Sequence, residues 1–263
     1  MLMRQISLKF ISLCLLALIF QATWGFTVKK FSPEQPEKNT VYVQTSDGCT
    51  LVVWEEISSG SKDTDIIAQK FGPGGKKLWG EKNIPIIFFR GNQKNPAVVP
   101  LSDGGAYVVW QSDSAGKNNV NIWCQRLLPN GKKAWKTPVP VCVSSGNQIK
   151  PSAAKDEEEN LMIVWEDYRG GNADVYGQRI GPDGAPFGVE SGAPIEIAPG
   201  NQTDAQFSFD SKGAPFSIFW NNNRRGFPEP IRIETDLSLL PIPEPAFGLL
   251  LPLILFLRWI RKD

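Results

Sequence analysis

The chain has 263 residues, of which 41% are hydrophobic and 21% charged, with a net charge of +1 and no histidine. That size and balance suit one large globular domain with short targeting segments, and they leave no basic stripe of the kind that nucleic acid binding uses. The lack of histidine removes the commonest metal ligand and the usual general base. In chain order, Met1 to Gly25 reads as a secretory signal peptide: Arg4 and Lys9 form a positive start, Phe10 to Phe20 an apolar run, and Thr23-Trp24-Gly25 a small-residue site. Signal peptidase is expected to cut after Gly25, so the mature chain begins at Phe26. The alternative is an uncleaved N-terminal anchor, against which the run is short of the ~20 apolar residues a span needs. Phe26 to Ser32 alternates like a strand, and Pro33 to Asn39 is a polar, Pro-containing connector.

From there the sequence repeats. Trp54, Trp110, Trp165 and Trp220 stand 56, 55 and 55 residues apart, and the triplet Gly-Asn-Gln recurs at Gly91, Gly146 and Gly200. Gln69, Gln125 and Gln178 each precede a turn glycine by six residues, at Gly75, Gly131 and Gly184. Trp79 and Trp135 lie four past the first two of these glycines, and Phe187 three past the last. Within a unit the runs are β-branched or aromatic and end in Asp, Gly, Asn or Ser, as strands do. Ser102-Asp103-Gly104-Gly105 and Pro129-Asn130-Gly131 carry hairpin-turn chemistry, because Gly and Asn accept positive φ at little cost. The second unit shows four strands, Ala97–Leu101, Ala106–Gln111, Asn121–Leu127 and Lys133–Val143. Four antiparallel strands repeated radially describe a propeller blade.

The expected fold is therefore all-β and propeller-like, with about four four-stranded blades of ~55 residues. It spans residues 26–236, with units at Thr40–Gly91, Asn92–Gly146, Asn147–Gly200 and a truncated Asn201–Asp236. The last unit lacks a fourth strand, and Phe26–Ser32 is expected to supply it, since an open blade exposes an unpaired edge. The anchor tryptophans close apolar runs and are expected in the core, wedging neighbouring blades apart.

Candidate chemistry is sparse. Glu55-Glu56, Asp113 and Glu166-Asp167 follow the anchor tryptophans, and a glycosidase needs two facing carboxyls at ~5–10 Å. Their recurrence once per unit points instead to structure, as turn caps or as a partner for Arg169, and the fourth unit has Asn221-Asn222-Asn223 there. Ser46-Asp47-Gly48 and Ser102-Asp103-Gly104 read as hairpin turns. Lys155 to Asn160 reads as a solvated acidic loop that has oxygen ligands for Ca²⁺ only as a weaker alternative. Three cysteines follow the signal peptide, Cys49, Cys124 and Cys142, so at least one is unpaired or bonded between chains. Cys124 and Cys142 fall on neighbouring predicted strands and are placed to pair; alternatively all three are small core residues.

Leu237 to Asp263 changes character. Pro243-Glu244-Pro245 is followed by Ala246 to Leu257, all apolar or Gly/Pro, and then by Arg258, Arg261 and Lys262. Motif, span and basic tail in that order resemble the PEP-CTERM sorting signal, which an exosortase reads and cleaves in bacteria that make exopolysaccharide. That resemblance implies a C-terminal hydrophobic helix over part of residues 237–263. It also implies membrane anchoring before processing, then release to the cell surface or beyond; the alternative is that the segment stays as a permanent C-terminal anchor. Pro228-Glu229-Pro230 is a decoy, because Ile231-Arg232-Ile233-Glu234 behind it cannot enter a bilayer. The repeat W-E-D-Y-R-G-G-N-A-D-V-Y-G-Q-R from Trp165 also resembles repeats of large exported bacterial propellers, which implies fold and location but no activity.

These features together predict an exported, surface-processed, non-catalytic binding or structural propeller, tied by its sorting signal to an extracellular polysaccharide matrix. No cofactor, metal or nucleic acid is expected. The alternative is an enzyme acting on polysaccharide, glycosidase or lyase, which should show carboxylates of different units converging on one mouth with raised pKa values.

Overall fold

The computed structural model describes residues 38–57, 62–223, 231–237 and 240–241. The signal peptide, the strand-like Phe26–Ser32, the Pro243-Glu244-Pro245 motif, the C-terminal helix and the basic tail all fall outside these residues. No helix among the described residues is long and apolar enough to cross a membrane.

The fold is an all-β propeller of four antiparallel sheets. Blade 1 holds β1 (Lys38–Gln44), β2 (Thr50–Ile57), β3 (Thr64–Phe71) and the short β4 (Ile84–Pro85). Blade 2 holds β5 (Gln93–Pro100), β6 (Ala106–Ser112), β7 (Asn121–Leu127) and β8 (Val139–Cys142). Blade 3 holds β9 (Gln148–Lys155), β10 (Leu161–Asp167), β11 (Asp174–Ile180) and β12 (Ala193–Glu196). Blade 4 has three strands among the described residues, β13 (Asn201–Phe209), β14 (Pro215–Asn223) and β15 (Ile231–Asp236). Sheet boundaries match the repeat units read from the sequence. Packing continues past Asp236, since Leu240 is buried beside Ile195 in the seam between blades 3 and 4.

Each seam is built by one rule. The anchor tryptophan of a blade faces the blade before it, and the alternate residues of the same strand face the blade after. Trp110 and Val108 thus meet Leu51 and Val53 between blades 1 and 2. Trp165 and Ile163 meet Tyr107 and Val109 between blades 2 and 3. Trp220 and Ile218 meet Met162 and Val164 between blades 3 and 4. Burying both faces explains why β10 is an unbroken apolar run up to Trp165 rather than an alternating one. Trp54 lies with Val52, Ile67 and Phe71 in a fourth buried cluster on the other face of blade 1.

The remaining repeated residues are latches. The asparagine of each Gly-Asn-Gln accepts a backbone N–H from the start of the third strand of the previous blade: Thr64 N to Asn92 Oδ1 at 3.3 Å, Val120 N to Asn147 Oδ1 at 3.2 Å, Ala173 N to Asn201 Oδ1 at 3.0 Å. Gln69, Gln125 and Gln178 are fully buried and pin the chain leading to the outer strand, through donation to Gly80 O, Trp135 O and Val189 O. Trp79 and Trp135 donate their indole N–H to Pro129 O and Pro182 O on the turn of the next blade, at 2.9 and 3.1 Å. Gly131 must be glycine there: its φ is +80° and a Cβ would lie 2.7 Å from the Trp79 ring.

The cysteines do not pair. Cys124 stands opposite Val139 and Cys142 opposite Ile122, and Cys49, Cys124 and Cys142 are all free and buried. Burial pushes the Cys124 thiol well above its usual range. All three should therefore be inert to an aromatic disulfide reagent in the native protein and react together on unfolding in guanidinium. Fast reaction of any one at native pH and temperature would contradict this packing.

Candidate active site at the propeller axis

The four inner strands, β1, β5, β9 and β13, line a cavity of about 700 Å³, a volume in the usual range for a ligand site. Each of them breaks register with its neighbour at the same point, between Lys38 and Val41, Lys94 and Ala97, Ile149 and Ser152, and Thr203 and Gln206. A bulge of this kind re-aims a side chain. One residue in each break has positive φ, namely Asn39 (50°), Asn95 (52°), Lys150 (54°) and Asp204 (55°), and all four line the cavity. Asn and Asp tolerate the left-handed region through local hydrogen bonds; Lys150 is the unusual one.

The residue after each of the first three anchor tryptophans holds the bulge of the next blade. Asn95 N donates to Glu55 Oε1 at 2.8 Å, Lys150 N to Gln111 Oε1 at 3.0 Å, and Asp204 N to Glu166 Oε1 at 2.8 Å. Glu55 also accepts from Asn39 Nδ2 at 2.6 Å. Lys150 Nζ lies 2.9 Å from Glu166 Oε1 and 2.9 Å from Asp204 Oδ1. Asp204 and Lys150 are about half exposed on the wall, whereas the Glu166 side chain is only 1% exposed behind them. Hydrogen bonding from Lys150 pulls the Asp204 pKa below the ordinary carboxylate value, against the opposing effect of burial. Glu166 and then Asp204 push the Lys150 ammonium pKa up.

The structural roles expected of the carboxylates are present. Asp113 accepts from Asn92 N and Nδ2. Asp167 takes Arg169 through Nε at 2.9 Å and Nη2 at 2.7 Å, and also the Trp165 indole N–H at 2.8 Å. The hairpin-turn aspartates pair with the basic residue that follows the latch glutamine: Asp47 with Lys70 at 2.7 Å, Asp103 with Arg126 at 3.0 Å and Asp156 with Arg179 at 3.6 Å. In the acidic turn, Lys155 pairs with Glu159, and Asp156 accepts from Asn160 N. Among the described residues no group of three or more carboxylate or thiol side chains is placed to hold a metal ion.

Sequence reasoning passed over Asn39, Asn95, Lys150 and Asp204. Their signal was present: they recur at 56, 55 and 54 residues, the period of the tryptophans. Because the residue type changes at each step, no motif marks them.

No family model and no curated protein matches this sequence. Solved structures do. The chain is similar to a thermostable family-43 glycoside hydrolase, with TM-score 0.50 and 13% identity over 78% of this chain and 76% of that one. It is similar to an ulvan lyase of polysaccharide lyase family 25, with TM-score 0.50 and 11% identity, covering 78% of this chain and 57% of that one. An endo-arabinase from Bacteroides thetaiotaomicron aligns over 83% and 80% of the two chains at 13% identity, with TM-score 0.47. The likenesses to the glycoside hydrolase and the lyase show a shared fold.

They also correct two expectations, that the propeller is a non-catalytic binding or structural module and that it is not an enzyme. Solved structures that share its fold include a glycoside hydrolase and a polysaccharide lyase. The physical error lay in taking once-per-unit recurrence as a mark of scaffold. In a radial fold a position that recurs once per blade becomes a ring about one axis, so recurrence gathers groups instead of scattering them. The Asp204 carboxylate on this ring is shifted down, not up, so it stays ionised and is not set to donate a proton.

Proposed function

We propose that the chain is an enzyme that cleaves polysaccharide in the axial cavity. The observation that carries this is the Glu166–Lys150–Asp204 cluster, drawn from two neighbouring blades onto the wall of one cavity. Both carboxylates contact one ammonium nitrogen at 2.9 Å, so they lie within about 6 Å of each other, on the scale of glycosidase pairs. Asp204, kept ionised and half exposed, is placed to accept a proton or to attack an anomeric carbon. Lys150 and Asn95 offer N–H donors to sugar oxygens, and Asn39, whose amide N–H groups go to Glu55 and Asn95, offers its amide oxygen. The glycoside hydrolase and the lyase that share the fold support the same class of activity.

Binding is tested by titrating the full folded body with oligosaccharides while following amide NMR signals. Shifts should concentrate at Asn39, Asn95, Lys150 and Asp204. Shifts confined to the hairpin turns around Asp47, Asp103 and Asp156, beyond the other ends of the inner strands, would refute the axial site.

We also propose that the chain is exported and sorted by its C-terminal signal. The support is the order of Pro243-Glu244-Pro245, apolar run and Arg258, Arg261 and Lys262; basic flanks favour the cytoplasmic side. In a host with an exosortase, intact mass should show loss of the segment after the motif. Glu244→Ala should block that loss and Glu229→Ala should not. Equal effects of the two would refute the assignment.

A further inference from the structure

Glu55, Gln111, Glu166 and Asn221 occupy the same place, one residue after each anchor tryptophan. The structural task there is to accept the N–H of the left-handed residue in the next blade. Gln111 does it with a neutral amide, taking Lys150 N at 3.0 Å and Asn95 Nδ2 at 2.9 Å. The negative charges of Glu55 and Glu166 are therefore not required by the scaffold. The charge of Glu55 is also costly to keep, because a buried carboxylate without full pairing is disfavoured. Glu55 is 4% exposed, and its Oε2 is buried with no hydrogen-bond partner.

We propose that Glu55 and Glu166 set the charge selectivity of the axial cavity: they keep it acidic, so that it takes an uncharged polysaccharide and turns away chains bearing uronate or sulfate. This deepens the proposed activity and rests on it. Among the described residues, the charged side chains on the cavity wall are Lys150 and Asp204. Directly behind it stand Glu166, bonded to Lys150, and Glu55, bonded to Asn39 and Asn95. Lys150 is already held by two carboxylates, and the balance of these four groups is negative. An anionic chain would bring further negative charge against Glu55 and Glu166, which are buried and so are screened weakly by salt. Sugar hydroxyls, by contrast, find donors and acceptors in Asn39, Asn95 and Asp204. Bond cleavage is then hydrolysis. Water adds its oxygen to the anomeric carbon and gives up one proton, the bond from that carbon to the glycosidic oxygen breaks, and the departing oxygen takes up one proton, so that one water in all is added across the bond. Elimination would need a cation to neutralise a uronate carboxylate, and the charge of Lys150 is already balanced by Glu166 and Asp204.

The test is affinity electrophoresis of the full chain and of the Glu55→Gln, Glu166→Gln and double variants, in gels containing arabinan or xylan as neutral probes and polygalacturonate or a sulfated galactan as anionic ones. Gln111 shows that glutamine fits this position, and a thermal melt within a few degrees of wild type confirms that each variant is folded. Wild type should be retarded by a neutral chain and not by the anionic ones. The double variant should gain retardation by the anionic chains by about tenfold in affinity, lost again in salt. Wild-type preference for the anionic chains would overturn the selectivity and leave the polysaccharide reading standing. Folded glutamine variants with unchanged discrimination would do the same. Retardation by none of the probes, with no bond cleavage in any, would overturn both.

Discussion

Replacing Trp165 by alanine should cost about 3–5 kcal/mol of stability, the usual penalty for emptying a buried indole site. Trp165 is fully buried in the seam between blades 2 and 3, stacked near Tyr176 with ring centroids 6.4 Å apart. Its N–H is held by Asp167, and a Cβ on Gly192 would lie 2.3 Å from its ring, so the backbone closes tightly over it. Nothing rigid can collapse into the space it leaves. For a body of this size the loss corresponds to roughly 6–20 °C in melting temperature. Ile57→Ala, at a residue that is 69% exposed, is the control and should change stability by no more than about 0.5 kcal/mol. Thermal and urea unfolding measure both. A Trp165→Ala loss no larger than that of the control would show that the anchor tryptophans do not hold the blades together.

The second large effect concerns Asp204 and Lys150. Asp204→Asn should lower the rate of polysaccharide cleavage by about 10²–10⁴, the range for removing a positioned acid–base group. Lys150→Met should act differently, by moving the pH profile. Lys150 keeps the folded-state pKa of Asp204 below its ordinary value, so the carboxylate stays ionised as pH falls toward that lowered pKa. Without the ammonium the Asp204 pKa rises, and the acid limb of the rate profile should move to higher pH. The same shift has a stability consequence. The contribution of the pair is present above the unfolded pKa of aspartate and is lost as pH falls through the lower folded value. It is small, because both side chains are about half exposed. An unchanged acid limb in Lys150→Met would remove Lys150 from control of Asp204.

The blade boundaries were legible because several landmarks share one period. Trp54, Trp110, Trp165 and Trp220 keep their type at every turn of the repeat, since each must fill the same seam. Gly-Asn-Gln repeats because its asparagine makes the same latch each time. The axial residues were not legible for the opposite reason. A bulge fixes only their backbone, so Asn39, Asn95, Lys150 and Asp204 share a φ and no chemistry. Cys124 and Cys142 misled because adjacent strands were predicted without their register, and the observed register sets each opposite an aliphatic residue. Glu55 and Glu166 were seen and assigned to structure, which is half of what they do: each holds a backbone N–H of the next blade, and each stands behind the cavity wall.

The most direct measurement is the release of reducing ends from neutral polysaccharides by the purified full chain, with Asp204→Asn run alongside. The account predicts release from at least one of arabinan, xylan, galactan or glucan by the wild type, abolished in Asp204→Asn while its melting temperature holds. Release that persists undiminished in Asp204→Asn, or no cleavage of any polysaccharide by a folded wild-type protein, would contradict it.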